Sequence, residues 1–174
     1  MSCLAKQLHK KGFTLIEMVV YITLVTVLSV VVIQLLFGII LLQRNIKIAK
    51  DVQTAAVTAV ERISREVRDA RSVNLGTSTF ATHPGALELA SVDVEGSART
   101  VRVYVDGGQI MLDENGVLVG PLTSSLVTVE SLIFYRMANS ISEAVRMEVT
   151  LSATSGLTTK EETFYSTVVL RGSY

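Results

Sequence analysis

The sequence predicts an α+β protein in which one long N-terminal helix packs on a C-terminal antiparallel β-sheet. Two observations predict the helix: residues 18–43 form a run of 26 residues without a charge, and no proline interrupts residues 13–82. A third observation predicts the sheet, because after Gly76 short segments of alternating apolar and polar residues are separated by turn residues.

The first half of the predicted helix, residues 13–43, is long enough to span a membrane. At about 1.5 Å per residue the uncharged run reaches about 39 Å, whereas the hydrocarbon core of a bilayer is ~30 Å thick. The run is much longer than the apolar region of a secretory signal peptide, and no small-residue cleavage site follows it. A retained transmembrane helix is therefore favoured over a cleaved signal peptide.

The charges that flank this span do not fix its orientation. Lys6, Lys10 and Lys11 precede it, and Arg44, Lys47 and Lys50 follow it, so the two flanks carry equal numbers of lysine and arginine. Long domains are translocated largely regardless of charge, so an external C-terminal domain is compatible with this balance.

The second half of the helix, predicted over residues 44–76, is amphipathic. Apolar residues recur at spacings of three and four at Val52, Ala56, Val60, Ile63, Val67 and Ala70. Opposite charges lie four residues apart in the pairs Glu61–Arg65, Arg62–Glu66 and Arg65–Asp69. Two interpretations are open for the arginines of this segment, a basic docking face or a solvated face, and they concern Arg62, Arg65, Arg68 and Arg71. The interleaved acids favour the solvated face. Asn74 and Gly76 indicate the end of the helix.

The predicted β domain, residues 77–174, begins with a loop at 77–85 and consists of six or seven short strands. The strands are predicted at 86–92, 101–105, 109–112, 117–119, 126–135, 145–151 and 164–171, with turns at 106–108 and 113–116 and a loop at 152–160. One face of such a sheet needs cover, and the apolar stripe of residues 52–70 is the available partner.

No residue pattern indicates catalysis. Cys3 is the only cysteine, and His9 and His83 are the only histidines, so a zinc site or a histidine-activated nucleophile is not expected. The acids at 113–116 either contribute to a calcium site or form a hairpin turn, and their spacing favours the turn. We predict no enzyme activity, no metal and no cofactor. Beyond residue 12 the net charge is −3, which argues against nucleic-acid binding.

The segment Lys11-Gly12-Phe13-Thr14-Leu15-Ile16-Glu17 closely resembles the cleavage and methylation motif of type IV prepilins and type II secretion pseudopilins. The resemblance implies that residues 1–12, with Lys10 and Lys11 near their end, are a leader that prepilin peptidase removes between Gly12 and Phe13. It also implies that the new amino terminus on Phe13 is methylated. Glu17 is an isolated carboxylate at the edge of an apolar span and needs a partner. The resemblance supplies one, the amino terminus of a neighbouring subunit, so that Glu17 sets the register of assembly.

The same resemblance implies a pilin-like fold, and it implies prepilin peptidase, other pilin or pseudopilin subunits and inner-membrane lipid as partners. The expected location is the bacterial cytoplasmic membrane with the C-terminal domain outside, followed by a cell-surface or periplasmic filament. Gln34 stands where major pilins often have a helix-breaking proline, and a disulfide loop is impossible here. These departures favour a minor subunit. A resemblance to the J/W type of minor subunit rests on the long helix, on residues 61–71 and on the closing strand 163–171. A major subunit and a non-polymerising membrane-anchored binding protein are the alternatives.

Overall fold

A computed structural model describes residues 14–93, 95–139, 142–156 and 158–171. It confirms an α+β fold in which one long helix precedes eight antiparallel strands. The elements are α1 (Leu15–Asp69), β1 (Ser72–Val73), β2 (Leu87–Val92), β3 (Ala98–Asp106), β4 (Gln109–Glu114), β5 (Val117–Pro121), β6 (Thr128–Ala138), β7 (Glu143–Ser155) and β8 (Thr158–Val169).

Helix α1 belongs to two units, because contacts divide the chain between Gln43 and Arg44. In the first unit, every described side chain of the helix is exposed. In the second unit, one stripe of the helix is buried, which confirms the predicted positions 52, 56, 63 and 67, and Val60 is partly buried. Ala70 is also buried but lies just past the end of the helix. Ile48, Ala55 and Ala59 extend the buried stripe beyond the prediction.

The predicted helix end at Asn74 and Gly76 is wrong, since α1 ends at Asp69. At this point the backbone forms hydrogen bonds with strand β2. Arg71 N donates to Ala90 O at 2.8 Å, and Ser91 Oγ donates to Asp69 O at 3.0 Å. Residues 70–76 therefore leave the helix and contribute strand β1 to the sheet, although they contain no proline.

The strands form two sheets, which differs from the single meander that the sequence predicts. The first sheet has the order β1-β2-β3-β4-β5 and the second has the order β6-β7-β8, and every neighbouring pair is antiparallel. The connection at 122–127 leads from β5 of the first sheet to β6 of the second, and a bulge interrupts the β4–β5 pairing between Leu112 and Asp113. A hydrogen bond from Val129 N to Gly108 O, 2.9 Å long, links them.

The two predicted tight turns are confirmed. Gly107 and Gly108 in the β3–β4 turn, and Asn115 and Gly116 in the β4–β5 turn, have positive φ angles, which glycine and asparagine tolerate best. Asn115 Oδ1 accepts a hydrogen bond from Thr100 N at 2.8 Å, so this side chain serves the backbone of the turn. Asp113 accepts from the Tyr104 hydroxyl at 3.3 Å, and Glu114 binds Arg99. The predicted loop at 152–160 is wrong, because β7 and β8 remain paired up to Ser155 and Thr158.

One apolar core joins the second half of α1 to both sheets. The helix contributes Val52, Ile63 and Val67 among others, the first sheet contributes Leu87, Leu89, Val101, Val103, Ile110 and Leu112, and the second contributes Leu132, Phe134, Val145, Met147, Val149 and Leu151. The alternation that predicted strand β7 buries Val145, Met147, Val149 and Leu151 and leaves Arg146 exposed, as expected for a half-buried strand.

The loop between β1 and β2 covers the outer edge of β6. Ala81 N donates to Phe134 O at 2.9 Å, and Gly85 N donates to Leu132 O at 2.8 Å. The Nδ1 atom of His83 accepts a hydrogen bond from Leu132 N at 3.0 Å. This histidine therefore anchors the loop, and the loop satisfies backbone groups that an edge strand would otherwise leave open.

Candidate functional site

The first turn of α1 is capped by Thr14. Glu17 N donates to Thr14 Oγ1 at 3.3 Å, and Met18 N donates to Thr14 O at 3.2 Å. A threonine followed three residues later by a glutamate is the sequence signature of a capping box. Thr14 was not among the predicted functional residues, although its spacing from Glu17 in the sequence indicates a helix cap.

The carboxylate of Glu17 is exposed in the first turn of α1, where the partial positive charge of the helix terminus favours an acid. The described residues offer it neither a hydrogen-bond donor nor an ion-pair partner. Lys10, Lys11, Gly12 and Phe13 lie outside the described residues, so the predicted cleavage site and its basic leader remain predictions.

The apolar surface of α1 is uncovered from Leu15 to Leu42. Leu15 is 84 % exposed and Phe37 is 65 % exposed. The helix is long and apolar enough to cross a membrane, and none of its most apolar stretch is buried by the rest of the described chain. An apolar surface of this extent requires lipid or other helices around it.

Most polar side chains inside this stretch are already satisfied by the helix itself. The hydroxyls of Thr23, Thr26 and Ser29 each donate to a carbonyl of the preceding turn at 2.8 Å. Such internal bonds remove the cost of placing a hydroxyl in hydrocarbon. Gln34 differs, because its amide has no hydrogen-bond partner among the residues that the structure covers. An amide in this position can hydrogen-bond across to a second helix.

The predicted solvated face of α1 is confirmed for Arg65, Arg68 and Arg71, which are exposed, whereas Arg62 is partly buried and pairs with a buried acid. Glu66 is 4 % exposed and binds Arg62 at 2.8 Å and Arg99 of β3 at 2.9 Å. Arg99 also contacts Glu114 of β4, which raises the pKa of the guanidinium and lowers the pKa of the Glu114 carboxyl.

Of the predicted local pairs, Arg62–Glu66 and Glu61–Arg65 are confirmed, the second at 3.9 Å and exposed. The structure shows no salt bridge between Arg65 and Asp69 within the described residues. No group of three or more histidine, cysteine, aspartate or glutamate side chains is placed to hold a metal in the part of the chain that the structure describes.

One family model, the prokaryotic N-terminal methylation motif, matches residues 8–33. The match supports a type IV pilin- or pseudopilin-like protein that prepilin peptidase processes and that assembles with other pilins. Proteins with this motif are structural subunits rather than enzymes. Together with the long apolar helix, the motif is consistent with a single-pass anchor in the inner membrane. No curated protein and no solved structure matches the chain.

Proposed function

We propose that the chain is a minor subunit of a type IV pilus-like filament or of a type II secretion pseudopilus. The observation that carries this proposal is the position of the methylation motif, which overlaps the start of a helix whose apolar surface is uncovered. In the membrane lipid covers that surface, and in a filament the helices of neighbouring subunits cover it.

Maturation is proposed to remove residues 1–12 by cleavage between Gly12 and Phe13, followed by methylation of the Phe13 amino group. Residues 13–43 then form the membrane and assembly helix, and the domain from Arg44 onward lies outside. Lys10 and Lys11 belong to the discarded leader. The matched motif includes all four of these residues.

A variant pair tests the cleavage site. Gly12→Val should block processing in cells that contain prepilin peptidase, so that the chain keeps the electrophoretic mobility of the precursor. Gly38→Val is the control, because a Cβ at Gly38 meets no atom within 4 Å and the residue is far from the site. Normal processing of Gly12→Val, or equal failure of both variants, contradicts the proposed site.

Glu17 is proposed to pair with the amino group of Phe13 on a neighbouring subunit. A carboxylate buried without a partner costs several kcal/mol, whereas a paired and hydrogen-bonded one need not. Its carboxylate has no partner among the described residues and is therefore available for such a contact.

Replacement of Glu17 separates processing from assembly. Glu17→Gln should still be cut after Gly12, but its recovery in sheared filaments should fall at least about tenfold, which is the effect of about 1.4 kcal/mol on an equilibrium. Glu61→Gln is the control, since Glu61 is an exposed acid of the same helix. Normal incorporation of Glu17→Gln contradicts the proposed pairing.

The minor role rests on the unbroken helix and the absence of a cysteine pair, and the J/W type rests on residues 61–71 and 163–171. A major subunit would dominate the protein of sheared filaments, whereas a minor one would be a small fraction of it. A non-polymerising anchored binding protein would keep residues 1–12 or tolerate any change at Glu17.

A further inference from the structure

Three cations follow the apolar stretch of α1 within two helical turns. Arg44, Lys47 and Lys50 are exposed, and none of them forms a salt bridge with any described residue. Asp51 is the one acid between residues 44 and 60. Lysine and arginine beside a membrane span favour the cytoplasmic side, although a long domain is translocated largely regardless of them. They therefore do not serve the orientation proposed above.

The structure places two of these cations in a concave site of about 340 Å³ within the second unit. Arg44 and Lys47 line it together with Leu126 and residues 153–155 at the end of β7. Lys50 lines an adjoining cavity of about 480 Å³, and Leu126 belongs to both. Asp51 also lines both cavities. The site therefore combines three cations with one acid, the hydroxyls of two exposed residues of the β7 end and an apolar wall formed by Leu126, which is 67 % exposed.

The C-terminal end of the uncharged run places these cations close to the surface of a bilayer. Arg44 directly follows Gln43, the last residue of the uncharged run. With that run across the hydrocarbon core, residues 44–50 extend over about 9 Å of helix, which covers the headgroup layer. Phosphate groups are the anions present at that depth, and arginine and lysine both bind phosphate.

We propose that Arg44, Lys47 and Lys50 bind the phosphate group of an anionic phospholipid on the side of the membrane that carries the C-terminal domain. Arg44 and Lys47 contact the phosphate, the Ser155 hydroxyl donates to a remaining oxygen, and Leu126 packs beside the glycerol. The Thr154 hydroxyl already pairs with that of Thr159 at 2.9 Å. This inference rests on the proposed membrane anchorage and does not depend on filament assembly.

The test uses the full chain reconstituted into phosphatidylcholine vesicles with a trace of spin-labelled phosphatidylglycerol or spin-labelled phosphatidylcholine. The fraction of motionally restricted label gives the relative affinity for the two headgroups. The protein should prefer phosphatidylglycerol, and the preference should fall as salt rises. In the variant Arg44→Gln/Lys47→Gln/Lys50→Gln, the ratio of the affinities for phosphatidylglycerol and phosphatidylcholine should fall at least about fivefold. This is the effect expected for the loss of one cation near a headgroup.

Two control variants make the result specific. Arg68→Gln/Arg71→Gln/Arg171→Gln removes the same charge from three exposed arginines near the other end of α1 and after β8, and it should keep the preference. Arg44→Lys/Lys47→Arg/Lys50→Arg keeps the charge and should also keep it. Equal loss in the two glutamine variants, or no preference in the unmodified protein, overturns the proposal.

Further measurements distinguish lipid binding from binding of soluble phosphate and from contact with a neighbouring subunit. If inorganic phosphate at low millimolar concentration abolishes the preference, the site binds soluble phosphate and the lipid proposal fails. If the Arg44→Gln/Lys47→Gln/Lys50→Gln variant keeps lipid preference but loses filament incorporation, the cations face a neighbouring subunit instead. Flotation of the vesicles reports anchorage separately, so a failure to insert contradicts the proposed anchorage rather than the phosphate site.

Discussion

Glu66 connects the helix to the first sheet through charge. Its carboxylate forms one salt bridge with Arg62, which lies one turn earlier on α1, and another with Arg99 on β3. Such a buried acid is tolerated only because both partners are present, since an unpaired buried charge costs several kcal/mol. The contact fixes how the second half of α1 lies on β3.

Replacement of Glu66 by glutamine should lower the free energy of unfolding by about 1–3 kcal/mol, because two arginines lose their shared negative charge and one of two acceptor oxygens becomes a donor. Glu61→Gln, which alters the exposed pair with Arg65, should change it by less than about 0.5 kcal/mol. Denaturant unfolding of the chain in a neutral detergent, followed by circular dichroism, measures both. Equal effects of the two variants would contradict the role given to Glu66.

Gly85 is required by the close approach of its loop to β6. A Cβ atom at Gly85 would lie 2.7 Å from Leu132 O and 3.1 Å from Phe134 Cδ2. Gly85→Ala should therefore destabilise the second unit by about 1–3 kcal/mol. In the same loop, a Cβ at Gly76 would meet only Asn74 Oδ1 at 3.7 Å, so Gly76→Ala should be tolerated. Thermal unfolding of the two variants compares them, and similar midpoints would rule out the clash.

At the scale of elements, the link between α1, β3 and β4 makes stability depend on acid pH. The hydrogen bond from Arg99 holds the pKa of the Glu114 carboxyl below its ordinary value of 4.5. A carboxyl with a lowered pKa in the folded state stabilises the fold above its unfolded pKa, and that contribution disappears as pH falls through the folded pKa.

The unfolding temperature should therefore fall below about pH 4.5, and Glu114→Gln should show a smaller fall than the unmodified chain. Other carboxyls also titrate in this range, so the difference between the two proteins isolates Glu114. Parallel pH curves for the two proteins would show that the ion pair with Arg99 does not contribute.

The elements also show how far local sequence patterns reach. The stripe of α1, the strand β7 and both glycine turns follow from spacing and turn chemistry, and the sequence predicts them. The Glu66–Arg99 contact joins residues 33 positions apart, so no local pattern indicates it. The end of α1 was mispredicted for the same reason, because hydrogen bonds from β2 stop the helix at Asp69.

The functional residues divide in the same way. The motif around Gly12 and Glu17 is contiguous, so the sequence predicts its role. The helix cap at Thr14 could also be predicted, because Thr14 lies three residues before Glu17. In contrast, the concave site at Arg44 and Lys47 needs the end of β7, more than 100 residues away, and only the fold brings these groups together.

At the scale of the whole molecule, the described core lies entirely within the second unit, from Ile48 to Leu170. A fragment of residues 44–174 should therefore fold without the apolar helix and unfold cooperatively on heating. Circular dichroism of the purified fragment, with the detergent-solubilised full chain as reference, measures this. A fragment without a cooperative transition would show that the first 43 residues are needed for the fold.

The central claim is that the chain is a processed, membrane-anchored filament subunit, and its amino terminus tests this most directly. The protein is isolated from membranes of cells that contain prepilin peptidase, and the mass of its N-terminal peptide is determined. The account predicts a chain that begins at Phe13 and carries one methyl group on the amino nitrogen. A mature chain that retains residues 1–12, or that begins at another residue, would contradict it.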